Sequence, residues 1–300
     1  MTDCFTDVPG LAIGHAHDPA INTGVSLIVP SAPVVMAVDV RGGGPGTRET
    51  DALDPSTLVE PVHGLALAGG SVYGLAAADE LVLLLAGAGR GLDIGPGLPR
   101  VPVVPAAILF DLANGGDKAW GAKPPYRHLT RMAFAALGTG DSSGRIGAGR
   151  GARAGSRPGG IGSVSARLTS GHRIGALIAV NSFGEVYPGA PPEGAVAMPK
   201  RRGLDPLAAS AGSRNTSIGA IATDAPLTRA QSRRVAMMAH DGLARCIRPI
   251  HCPFDGDSLF VISTATETGA GSDATAITEI GTIAADLVAR AVRRAVFGTP

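Results

Sequence analysis

Asn215-Thr216-Ser217-Ile218-Gly219-Ala220-Ile221-Ala222-Thr223-Asp224 is an apolar, strand-forming run with a hydroxyl near its first position. The polar segment 208–214 leads straight into it, so Thr216 stands where a loop meets a strand. Two readings follow. Thr216 is an ordinary strand-opening residue after a turn, or it is a nucleophile. The second gains force if the Asn215–Thr216 bond breaks, because the freed α-amine (pKa about 8) can act as general base for the hydroxyl of the same residue. Asn215-Thr216-Ser217 also fits the N-glycosylation sequon. That reading needs a secretory route, and the opening MTDCFTDVPG shows no basic region followed by an apolar run, so a signal peptide is not expected.

The rest of the chain has the composition of a folded enzyme-sized domain. It has 300 residues, 45% hydrophobic and 17% charged, which is enough apolar content to build a core. Aromatic residues make up 4% against 43 glycines, so the core is expected to be aliphatic, close-packed and rich in tight turns. The net charge of +1 gives no electrostatic footprint for nucleic acid or an anionic membrane. Cys4, Cys246 and Cys252 are odd in number and at no metal-binding spacing, which fits a reducing, cytoplasmic setting without a metal site. The apolar run near 81–88 is too short to cross a bilayer.

Residues 23–30 and 33–40 read as paired strands around a Pro-Ser-Ala-Pro turn. The second enters Arg41-Gly42-Gly43-Gly44-Pro45-Gly46-Thr47-Arg48-Glu49. This run is either a phosphate cradle or a tight structural turn with a buried Arg–Glu pair; it lacks the Gly-Lys-Ser/Thr ending of a P-loop. A strand at 64–68, Gly69-Gly70-Ser71 and a helix at about 72–86 follow, with Ser71 as the expected N-cap. Residues 101–112 read as a buried strand broken by prolines, and 126–137 as a helix. The glycine- and arginine-dense segment 138–162 is a connector or an active-site wall. Strand 173–180 ends at Asn181, a turn former or an amide donor to a reacting oxygen. Segment 188–214, with its basic patch 200–202, is the best linker candidate. After the strand 216–223 come an amphipathic helix at 229–247, a strand at 258–263 and a last helix at 274–297. His240 on the first of these helices reads as a packing residue before a catalyst. Asp255-Gly256-Asp257 is an Asp-Gly turn, or a carboxylate pair on one side of an extended chain whose mutual charge raises one pKa. The mixture of strands and helices predicts an α/β layered fold with sheet between helices.

Beyond these single readings, many segments in order resemble one family. They are Gly14-His15-Ala16, Val38 to Gly43 with Gly46 to Thr50, Gly69-Gly70-Ser71 with Gly74 to Asp79, and Val103 to Ala107. They continue through Gly147-Ala148-Gly149, Val180-Asn181, Asn215-Thr216, Thr223-Asp224, Ala239-His240-Asp241-Gly242 and Phe254 to Ser258. Over nearly its whole length the chain resembles the L-aminopeptidase/D-esterase (DmpA) family, which includes β-aminopeptidases and nylon-oligomer hydrolases. The resemblance implies an αββα four-layer sandwich of the N-terminal-nucleophile-hydrolase type, shared with ornithine acetyltransferases. It implies one catalytic domain over 1–300 that cleaves itself at Asn215–Thr216 into an α chain 1–215 and a β chain 216–300. Thr216 would be the nucleophile, Asn181 the oxyanion amide, and Asp255 and Asp257 the acidic pair that orients the nucleophile. No cofactor is implied. The substrate would be a small peptide or amide, and the assembly a homo-oligomer. Two positions depart from the nylon-hydrolase relatives. Phe110 stands where they carry a Tyr, and Ser156, with Arg157 beside it, where they carry a Lys; these are the candidate substrate-binding positions.

The favoured expectation is therefore a self-processing N-terminal-threonine aminopeptidase or amidohydrolase. The alternatives are an ornithine-acetyltransferase-like acyltransferase and an unprocessed relative that only binds a ligand.

Overall fold

A computed structural model describes residues 2–138, 143–194, 215–265 and 271–298. The loop 208–214 and the basic patch 200–202 lie outside the described residues, as does part of the 138–162 segment. In chain order the elements are β1 (Leu11–Asp18), β2 (Thr23–Pro30), β3 (Val35–Val40), β4 (Thr47–Arg48), β5 (Leu65–Ala68), α1 (Ala76–Gly87), β6 (Ala106–Ile108), α2 (Tyr126–Ala135), β7 (Arg153–Ala154), β8 (Arg157–Pro158), β9 (Gly160–Arg167), β10 (Arg173–Asn181), β11 (Glu185–Val186), β12 (Thr216–Thr223), α3 (Arg229–Ala244), β13 (Ile247–Arg248), β14 (Ser258–Ser263) and α4 (Ala274–Phe297).

Two five-stranded sheets carry the fold, ordered β1-β2-β5-β6-β4 and β3-β14-β12-β10-β9. The pleat of β12 decides which residues lie between them, because alternate side chains face opposite sides of a strand. Ile218, Ala220 and Ala222 join Ile28, Leu65, Leu67, Phe260 and Ile262 in a core between the sheets. Ile221 points the other way, into a core with Val235, Ala239 and Leu243 of α3 and Leu287, Val288 and Val292 of α4. A third core packs Val25, Leu27 and Ala66 of the first sheet against Ala78 and Leu81 of α1 and Leu129 and Ala133 of α2. The layers thus run helix, sheet, sheet, helix. Both helices over the second sheet begin at side-chain caps. Thr228 accepts from the Gln231 amide at 3.2 Å, and Asp273 accepts from Ala276 at 2.8 Å.

Several expectations are corrected. Residues 23–30 and 33–40 do not pair: β2 runs between β1 and β5, whereas β3 is the edge of the other sheet beside β14. The Pro-Ser-Ala-Pro segment is therefore a crossing between layers. Ser71 is not an N-cap. It sits at φ +54 after a left-handed Gly70, and a 3₁₀ turn, Ser71–Leu75, leads into α1. The Gly70 amide is instead taken by Asp111 Oδ1 at 2.8 Å. The expected Arg–Glu pair also gives way, as Arg48 pairs with Asp79 of α1. Within 101–112 only Ala106–Ile108 is strand, since prolines at 102 and 105 cannot donate to a ladder. The strand β1 and the full strand β9 escaped sequence reading. No helix among the described residues is long and apolar enough to cross a membrane.

Candidate active site

β10 and β12 are antiparallel, and their register ends with Asn181 directly opposite Thr216. Thr216 shares its face of β12 with Ile218 and Ala220, and Asn181 shares its face of β10 with Leu177 and Ala179, all inter-sheet residues. Both side chains therefore stand at the rim of the gap between the sheets. They are buried, Asn181 at 0% and Thr216 at 2% exposure.

The Asn181 amide is held in one orientation. Its Oδ1 accepts from the Arg153 backbone N–H at 2.9 Å and from Asn114 Nδ2 at 3.3 Å. A backbone N–H can only donate, so this contact identifies the oxygen. Nδ2 donates to the Phe110 carbonyl at 3.0 Å, which leaves its second hydrogen for another acceptor. Phe110 thus serves the site through its backbone. Ser156 and Arg157 belong to the neighbouring hairpin of β7 and β8. Ser156 donates through N and Oγ to Glu185, at 2.7 and 3.0 Å, and the Arg157 guanidinium lies 5.3 Å from the Phe297 ring. The described part of the glycine-rich segment packs beside Asn181: Ala148 and its flanking glycines are buried, and the hairpin after them carries the Arg153 amide.

On the other side of Thr216, its Oγ1 donates to the carbonyl oxygen of Asn215. The same oxygen accepts from the Gly256 N–H at 3.1 Å. Asp255 and Asp257 flank Gly256 and are both fully buried. Asp255 accepts from the amides of Phe183 and Cys252, each at 3.1 Å. Burial, reinforced by the negative charge of Asp257, raises the Asp255 carboxyl to about 6. Asp257 Oδ1 accepts from the Ser217 amide at 2.8 Å, and its Oδ2 from His251 Nδ1 at 2.8 Å. Cys252 beside them is a poor nucleophile, its thiol pushed up to about 12 by burial and by Asp255.

The glycine-rich turn after β3 explains how the acidic loop approaches Thr216. The amides of Arg41, Gly43 and Gly44 donate to carbonyls of Asp257, Cys252 and Asp255 at 2.9, 3.1 and 2.7 Å. Those amides are spent, so the turn is structural and not a phosphate cradle. A Cβ on Gly42 would fall 2.4 Å from the Asp257 nitrogen, and one on Gly256 would fall 2.8 Å from Thr216 Oγ1. Sequence reading named Thr216, Asn181, Asp255 and Asp257, and these come together. It missed Asn114, which it read only as part of a turn at 114–117, and His251, to which it gave no reading. His240 is a packing residue in its contacts: Nε2 lies 3.0 Å from the Asp39 carbonyl, and burial lowers its pKa to about 4. Among the described residues, no three His, Cys, Asp or Glu side chains converge as a metal-ligand set.

The helix–sheet–sheet–helix layering recurs in known proteins. Peptidase family S58 matches residues 3–299, and the chain belongs to that family, the one that contains the DmpA-type aminopeptidases. An uncharacterized aminopeptidase of Mycobacterium tuberculosis is 42% identical over 96% of this chain and 92% of its own length. A 6-aminohexanoate-oligomer endohydrolase of Agromyces is 27% identical over 86% of this chain and 74% of its own. Among solved structures, a Burkholderia β-aminopeptidase superposes with a TM-score of 0.77 at 24% identity, covering 98% of this chain and 86% of that one. The L-aminopeptidase D-Ala-esterase/amidase of Ochrobactrum anthropi, described as a variant of the Ntn-hydrolase fold, gives 0.72 at 21% identity, covering 98% and 85%. The αββα expectation is borne out, and family membership makes the chain a peptidase or amidohydrolase.

Proposed function

We propose that this hydrolase is a single catalytic domain that processes itself and then works through the N-terminus it creates. The observation that carries the reading is the placement of Thr216 Oγ1 on the Asn215 carbonyl, the bond that processing would break. Oγ attacks the Asn215 carbonyl carbon, the C–N bond breaks, and the hydroxyl proton ends on the departing nitrogen. Water hydrolyses the resulting ester, restoring the hydroxyl and leaving an α chain 1–215 and a β chain 216–300. The new α-amine, with a pKa near 8, then removes the hydroxyl proton as Thr216 attacks a substrate amide. The second hydrogen of Asn181 Nδ2 would stabilise the oxyanion, and its fixed amide orientation supports this. Asp255 and Asp257 hold the nucleophile's end of β12. The names of the relatives support N-terminal residues of small peptides, amides or amide oligomers as substrates. Phe110 offers no hydroxyl, so the contact a Tyr would make is either lost or supplied by another group; one such donor is worth about 3 kcal/mol. No cofactor is required by this chemistry.

Intact-mass measurement of freshly purified protein under denaturing conditions tests the reading. The expected result is two species, the smaller starting at Thr216, and one full-length species for Thr216→Ala. Normal cleavage in T216A would sink the proposal, as would a natural chain that stays whole on incubation.

A further inference from the structure

His251 lies beside the candidate site and sequence reading gave it no role. Its backbone is left-handed, at φ +54, which brings its own N–H and its ring onto one carboxylate oxygen. The amide lies 3.3 Å and Nδ1 2.8 Å from Asp257 Oδ2. The other oxygen, Oδ1, holds the amide of Ser217, the residue that follows Thr216. A continuous line of contacts thus runs from the imidazole through Asp257 to the first turn of backbone that carries Thr216. The remote edge of the ring is enclosed: Nε2 is buried without a hydrogen-bond partner.

We propose that His251 is a positioning residue of the site, orienting the Asp257 carboxylate and, through it, the Ser217 amide and Thr216. This rests on the self-processing reading, in that the reacting group it positions is Thr216. The ring has a defined tautomeric demand, because Nδ1 must carry the hydrogen to donate to a carboxylate. The charged and titratable groups around it are few. Asp257 bonds it from its own loop, which also carries Asp255 and Cys252. His240 of α3 stands edge-on, ring centroids 5.0 Å apart. Behind His240, Asp39 of β3 lies 3.7 Å from its Nε2, and Arg41 pairs with Asp39 at 2.7 Å and reaches Asp241 at 3.9 Å. His240 is held neutral by burial, so it does not compete for the Asp257 charge. With its hydrogen bond from His251, the Asp257 charge is partly spent. Without it, the buried pair Asp255 and Asp257 loses a donor to its charged form and keeps its proton to higher pH.

Two variants separate positioning from folding. His251→Gly removes the ring yet accepts a positive φ, and His251→Asn accepts the same φ and keeps an N–H donor on the side chain. Self-cleavage is followed by intact mass, and the Asp255 carboxyl by ¹³C NMR titration. H251G is expected to cleave about tenfold or more slower than the natural chain, the scale seen when an outer partner of a reacting group is lost. Its Asp255 midpoint is expected to rise by about one pH unit. H251N is expected to return both toward natural values. Natural cleavage and an unmoved Asp255 midpoint in H251G would overturn the proposal. So would slow cleavage with an unmoved midpoint and no rescue by H251N, the pattern of a merely structural residue. A natural chain that never cleaves would overturn self-processing, and the Asp255 midpoint in H251G would still decide the role of His251.

Discussion

Asp255 carries a carboxyl that burial keeps from ionising at its ordinary pH. Its carboxyl is raised to about 6 by burial and by Asp257, above the ordinary value of 3.8. The folded state therefore holds this proton more tightly than the unfolded chain. Its contribution to stability is fully present below about pH 4 and is lost as pH rises through about 6. Asp255→Asn keeps an acceptor for the Phe183 amide and carries no charge to bury. In a T216A background, which keeps one continuous chain, D255N is expected to remove that decline, while the loss of an acceptor for the Cys252 amide costs about 1–3 kcal/mol at every pH. Denaturant titrations at pH 4, 6 and 8 check this; an equal pH dependence with and without Asp255 would refute it. Sequence reading reached Thr216, Asn181 and the two acids because each sits at a strand boundary, where residue type and position are visible together. It did not reach His251 or Asn114. Their contacts depend on a left-handed backbone at His251 and on a loop 67 residues distant from Asn181 in sequence, and neither leaves a pattern in the chain.

The turn after β3 shows how a backbone segment can matter more than its side chains. Arg41 to Gly44 lies against 252–257 so closely that the Cβ of Gly42→Ala would meet the Asp257 nitrogen at 2.4 Å and the Asp255 oxygen at 2.5 Å. The acidic loop must move to admit it. G42A is expected to cost about 1–3 kcal/mol, as overpacking does, and to slow cleavage well beyond what that loss of stability explains. Thermal melts and a cleavage time course on the same sample separate the two effects; natural cleavage in G42A would show that the loop need not sit so close. At this scale the sequence was most legible where periodicity was strong. The helices read at 126–137, 229–247 and 274–297, found at Tyr126–Ala135, Arg229–Ala244 and Ala274–Phe297, follow from it, as do strands β3, β10, β12 and β14. Legibility failed where a tertiary choice was required. Apolar β2 and β3 look like a hairpin, and only the demand for two stacked sheets sends them apart. β9 begins inside a glycine-rich run, and its strand character comes from its neighbour β10 along eight paired residues.

Across the whole molecule, the expected cut would fall between pieces that share a sheet. β12 is bonded to β10 over eight residue pairs and to β14 over six, while α4 packs on β9 and β10. Residues 1–215 and 216–300 are thus expected to elute together from a native sizing column and to part only on unfolding; separation in native buffer would contradict the observed topology. The order β3-β14-β12-β10-β9 has a further consequence. Its central strand would be threaded into place while still tethered to its neighbour by one chain, and the tether would then be severed. A cleaved molecule that unfolds would have to find its lost half by collision, at a rate set by dilution. Its endurance would be a matter of how seldom it opens, and the chain would carry its own record of having folded once.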